Sequence, residues 1–220
     1  MDKLIIYELN ELPLKVLKDY VELKPKSTIA EIYNNGLLKI TNTSDKGELH
    51  PWSTWPTFYR GVNNKLHNIR FINQDKSLAD EKYPNVWEIL AKNNIKIGIF
   101  GSLQSHPPLN SSNVDFYLPD TFAPDSSAIP EILSKFQDFN LSIVGNNNAI
   151  SRGIRIADFL NFSKCLKEKL ISPKTIMKVF LHLLKEIFWS KYKIRRSLMQ
   201  PILGFDPYFY QLNKYKPDFS

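Results

Sequence analysis

Residues His50 to Gly61, HPWSTWPTFYRG, place three hydroxyls (Ser53, Thr54 and Thr57) among two tryptophans and two prolines, shortly after a strand-like stretch. Such hydroxyls fit two kinds of chemistry. In one, Trp52 and Trp55 bury in a packing corner and Thr54 and Thr57 cap a helical turn. In the other, one hydroxyl is a nucleophile. A serine or threonine hydroxyl is a weak nucleophile at neutral pH and reacts only where its surroundings activate it and neutralise the anion it attacks. A helix N-terminus would add backbone N–H donors for the same anion, and Pro51 or Pro56 suits the start of a helical turn.

The remaining reactive side chains are sparse. His50, His67, His106 and His182 are scattered, and no pair has the i, i+4 spacing that puts two imidazoles on one helical face. Cys165 is the only cysteine, which excludes an internal disulfide and a thiolate zinc cluster and leaves it as a packing residue. Glu8 and Glu11 read, on residues alone, as carboxylates at the start of a helix, where the dipole favours them.

The elements that must position these residues follow from periodicity. KLIIYEL, residues 3 to 9, reads as a buried strand, and a helix follows with Pro13 in its first turn. TIAEIYNNG reads as a short helix ending in Asn-Asn-Gly, and LLKITNT as a second strand. In YPNVWEILAKNNIKIGIFGS, Asn85 caps a helix that IKIGIFG follows as a buried strand. Helix followed by strand predicts a parallel α/β sheet. VDFYLPDTFAPDSSAIPEILSKF passes from a strand edge through a proline-rich loop to a helix near Ile129 to Phe139. Ser172 and Pro173 open an amphipathic helix of about seven turns with a wide buried face.

At 220 residues the chain can bury one sizeable core. The net charge of +7 is uneven: residues 151–200 carry +9 and the remainder −2. Such a basic segment fits a solvated face, a membrane-surface helix or a nucleic-acid footprint. No helix-turn-helix, RNP or zinc-finger pattern accompanies it, so no specific nucleic acid is expected. About four apolar residues before Glu8 fall far short of the roughly 20 of a membrane span, or of a signal peptide, so a cytoplasmic protein is expected. GNNNAI, near residue 150, interrupts the α/β pattern and predicts a boundary between residues 1–150 and a basic helical segment at 151–220.

Three segments in order resemble the alkaline phosphatase superfamily, most closely its type I phosphodiesterase, nucleotide pyrophosphatase and sulfatase-like branch. LIIYELNE is similar to the family's first strand and its metal-binding acid. TWPTFYRGVNNKLHNI is similar to its nucleophile segment, and VWEILAKNNIKIGIFGS to its next helix and strand. A bacterial sub-branch is closer in Glu8 to Glu11, in Pro51 to Trp55 and in the Pro119 to Ala123 loop.

The resemblance covers roughly residues 3 to 125. It implies a three-layer alkaline-phosphatase-like parallel sheet, incomplete, with residues 151–220 as a cap inserted over the site. It further implies a metal-dependent hydrolase of phosphate or sulfate esters, with Glu8 and Asn10 as ligands of a divalent metal (Zn, Mn, Mg or Ca) and Thr54 as nucleophile. Ser53 and Thr57 are the alternative hydroxyls. Asn10 stands where the family has aspartate, Arg60 replaces a threonine and Asn68 a glycine. The family's other ligands lie in its C-terminal half, so the resemblance implies a truncated or inactive form of the enzyme. Its substrate would be an anionic small-molecule, glycan or lipid ester, and its partner a C-terminal half or a second copy. The alternative reading is a noncatalytic binding or interaction module with a basic helical surface; for that surface a cap over the site ranks first and association with a membrane surface second.

Overall fold

The computed structural model describes residues 3–144 and 156–220, and the expected boundary at GNNNAI lies outside the described residues. The fold is mixed α/β, with a small parallel sheet among many helices. Strands β1 (Ile97–Phe100) and β2 (Val114–Leu118) pair in parallel, as the helix-strand order predicts. Helix α6 (Val86–Lys92) precedes β1, and the Asn85 side chain and Glu88 form a reciprocal capping box at its start.

Three further backbone rows extend the sheet, two on the β1 side and one on the β2 side. Phe219 bridges in parallel both to Ile97 and to Leu4, so residues 218–220 lie between the N-terminal segment and β1. Leu4 N–H donates to Asp218 O at 2.9 Å, Ser220 N–H to Leu4 O at 3.0 Å and Ile6 N–H to Ser220 O at 2.7 Å. On the far side, Tyr117 pairs antiparallel with Ile129. Residues 3–9 thus hold a strand-like position at the sheet edge, but Leu4, Ile5 and Tyr7 are exposed, which corrects the expectation of a buried strand.

The expected second strand at 37–43 is absent. Leu37 is 81% and Ile40 74% exposed with no strand beside them, and an apolar run without a partner strand has no ladder to join. Helices α1 (Leu14–Leu23) and α2 (Thr28–Asn35) form where the periodicity places them, Pro13 and Ser27 standing at their N-caps. Next come α3 (Pro51–Arg60), α4 (Asn64–His67) and α5 (Ser77–Lys82).

Helix α7 (Ser134–Val144) packs on β2. Helix α8 (Ile156–Lys167) packs on α7, and the two share a core with Leu170, Ile171 and Leu203. Cys165 is buried in this cluster, and burial pushes its thiol up to about 12, so it is an inert packing residue. The expected seven-turn helix is two: α9 (Pro173–Phe188) stops at an extended Trp189, a 3₁₀ stretch covers 190–198, and α10 (Met199–Tyr215) follows. Lys191 and Arg195 stand four apart in the 3₁₀ stretch, a like-charge spacing that disfavours α-helix. No helix among the described residues is long and apolar enough to cross a membrane.

Candidate functional site

Ligands of open parallel sheets bind beyond the carboxyl ends of the strands. Here that end is built by Glu8 and Asn10 after the first row, by Gly101 and Ser102 after β1, and by α3. Gly101 has φ +76°, a left-handed turn that carries the chain abruptly out of the strand. Helix α3 starts at Pro51, where the missing N–H is no loss, and ends at Gly61 with φ +65°. Pro56 inside the helix leaves the Trp52 carbonyl without its intrahelical donor, and Gln104 Nε2 donates to it at 3.4 Å, tying the loop after β1 to α3.

Glu8 and Thr54 line one open cavity of about 360 Å³, together with Leu9, Trp55 and Phe58. Tyr59 OH donates to Glu8 Oε2 at 2.8 Å, and Ser102 also bonds to this carboxyl. Burial raises the Glu8 pKa, and the two hydroxyls pull against that shift. Burial and the Glu8 charge push the Tyr59 phenol above its ordinary range, so it remains a donor. Asn10 Oδ1 accepts the Trp55 indole N–H at 2.9 Å, which pins the strand end to α3. Thr54 Oγ1 donates to the His50 carbonyl at 3.2 Å, and among the described residues no side chain bonds to it.

Thr57 has a different setting. It lies one turn along α3 and donates to the buried Asp45 carboxylate at 2.8 and 2.9 Å. Ile69 N–H donates to His67 Nδ1 at 2.9 Å, so the ring proton sits on Nε2 and is donated to Thr57 Oγ1, also at 2.9 Å. His67 therefore gives a proton to this hydroxyl and cannot take one from it. Burial lowers its pKa to about 4, ahead of the opposing pull of Asp45. Asp45 Oδ1 also accepts Asn64 N–H at 2.7 Å. This closed knot joins α3, α4 and the 43–46 segment through the Thr57 hydroxyl. Ser53, the other alternative, is buried and faces neither cavity described here.

A second cavity of about 410 Å³ lies between the loops at 72–77 and 103–107 and the Pro119–Pro124 loop. Its charged groups are engaged internally. Lys76 Nζ donates to the Gln104 and His106 carbonyls at 2.5 and 2.6 Å, and buried Asp120 accepts from Gln104 N–H and Phe122 N–H at 2.8 and 2.7 Å. His106 Nε2 lies 3.3 Å from Asp125, and exposed His50 lies 3.2 Å from Glu48. No residue of 156–220 lines either cavity.

The structure thus gathers Glu8, Asn10 and Thr54 about α3 and separates Thr57 from them. Tyr59 and Ser102, which hold Glu8, escaped sequence reasoning. The signal for Ser102 was its place directly after a glycine at a strand end. As cation ligands, Glu8 and Asn10 offer two hard oxygen donors, a type that suits magnesium, manganese or calcium better than zinc. Among the described residues no three His, Cys, Asp or Glu side chains come together. The side chains described here therefore do not close a metal site; what they do is place the Thr54 hydroxyl and hold Glu8. No protein-family model, curated protein or solved structure matches this chain.

Proposed function

We propose that the cavity at Glu8 and Thr54 is part of the centre of a metal-dependent hydrolase of phosphate or sulfate esters, on an incomplete three-layer alkaline-phosphatase-like fold. Glu8 and Asn10 supply two oxygens to a divalent cation whose other ligands come from outside the described residues. The carrying observation is that Glu8 and Thr54, far apart in the chain, line one cavity at the carboxyl end of the parallel rows. The ester is an anionic small molecule, glycan or lipid. Thr54 Oγ1 bonds to phosphorus or sulfur as the ester's alcohol leaves, and water then cleaves the threonyl ester and restores the hydroxyl.

The test is hydrolysis of aryl phosphates and aryl sulfates by the protein purified from its native cells, with each of the four cations. Turnover that needs a cation and falls at least about 100-fold in Thr54→Ala, as loss of a covalent nucleophile requires, bears the reading out. Full turnover in Thr54→Ala would remove the nucleophile assignment.

One observation favours a second reading, a noncatalytic binding module that presents the basic helices: Lys185, Lys191 and Arg195 gather about the one Tyr192 ring. That reading predicts a folded protein without turnover under any of the four cations.

A further inference from the structure

Helix α9 packs Ile176 and Val179 against the core, yet it also buries polar groups and leaves a second apolar stripe outward. Thr175 and Glu186 are buried, and His182, half-buried, lies 3.0 Å from Glu186. Met177, Phe180, Leu181, Ile187 and Phe188 are instead 48–75% exposed. At 100° per residue these five fall on one outward stripe, bordered on one side by the row Lys174, Lys178 and Lys185.

Beyond the helix, Trp189 is 54% and Ile194 73% exposed. Three cations converge there on one ring: Lys185 Nζ, Lys191 Nζ and Arg195 Cζ lie 5.7, 5.8 and 5.5 Å from the Tyr192 centroid. From Pro173 to Leu198 the chain carries seven Lys and Arg against one Glu.

We propose that the outward face of α9 and the turn at Trp189 form a membrane-docking surface for anionic lipid, lying in the interface without crossing it. An apolar stripe with a lysine border, ending in a tryptophan and a cation-ringed tyrosine, matches an interfacial helix in both depth and charge. Like charges gathered at Tyr192 call for an anionic surface opposite. A second copy would bring the same cations to the contact and repel it, and a nucleic acid would leave the apolar stripe in water. The surface is independent of the cavity at Glu8 and Thr54, from which it shares no lining residue.

The test is sedimentation of the full chain with vesicles of phosphatidylglycerol and phosphatidylcholine in equal parts, and with phosphatidylcholine alone. Trp189 emission is followed by comparison with Trp189→Phe. The expected result is binding to the anionic vesicles with a blue shift that Trp189→Phe loses. Binding should weaken at least about tenfold between about 0.1 and 1 M salt, as charge reach shrinks from about 10 to about 3 Å.

Ile187→Gln with Phe188→Gln should lower vesicle affinity at least about tenfold while leaving the circular dichroism unchanged, because both side chains are exposed. Should that variant misfold, quenching of wild-type tryptophan by brominated anionic lipid gives the same decision. No sedimentation with anionic vesicles, equal binding to phosphatidylcholine alone, binding to RNA in place of vesicles, or a dimer that hides Trp189 from lipid would each overturn the proposal.

Discussion

Thr54 and Thr57 stand one turn apart on the same ten-residue helix, yet their surroundings differ in kind. Around Thr57 every polar atom of the knot has a partner: Asp45 accepts twice over, His67 donates from Nε2 and accepts at Nδ1, and Asn64 is held through its backbone N–H. Around Thr54 there is an open cavity and a carboxyl whose pKa burial has raised. A saturated, buried network rigidifies a fold and has no capacity left for a ligand. An open cluster with an under-solvated carboxyl does have that capacity. Partner count, rather than residue type, separates Thr57 from the candidate nucleophile.

Asp45→Ala should break this contrast most severely. It strands the Asn64 N–H in the interior and leaves the Thr57 O–H only the long contact to the Ser53 carbonyl at 3.3 Å, at a cost of about 3 kcal/mol. For a chain of this size that lowers Tm by about 6–12 °C in a thermal melt. Thr57→Val keeps the shape but leaves the His67 Nε2–H without an acceptor, so a loss of about 2 kcal/mol is expected, with no effect on events at the open cavity.

Acidification is the next probe. The unfolded His67 takes up a proton below about pH 6.5 and the folded one only near 4. The unfolded state therefore binds more protons across that window, and the stability present above pH 6.5 is lost as pH falls towards 4. Melts at stepped pH should show this fall, and His67→Gln should flatten it.

Thr54→Val should move the melt least, by about 0.5 kcal/mol or less, because its hydroxyl bonds only to a carbonyl of its own helix. A Thr54 effect on stability as large as that of Thr57 would erase the distinction between the two sites.

The sheet and its flanking helix were legible in sequence because their signals are local. Asn85 and Glu88 form a capping box within four residues, and IKIGIFG reads as a strand wherever it stands. The Thr57 knot was not legible. Its partners Asp45 and His67 come from other segments, and no spacing along the chain announces that they meet one hydroxyl. LLKITNT misled for the converse reason: its residues favour strands, but strand formation depends on a neighbouring ladder that is not there. The seven-turn helix failed where its apolar stripe turned outward and its cations crowded after Phe188. Of the candidate site, Glu8, Asn10 and Thr54 came from resemblance to a family pattern. Their shared setting about one helix and the strand end is a tertiary fact.

The most direct test of the central claim compares Thr54→Ala with Thr57→Val in cation-dependent hydrolysis of aryl phosphates and sulfates by the native protein. The account predicts that Thr54→Ala loses turnover by about 100-fold or more while keeping its melt, and that Thr57→Val keeps turnover while losing stability. Turnover untouched by Thr54→Ala, or lost only with Thr57→Val, would contradict it.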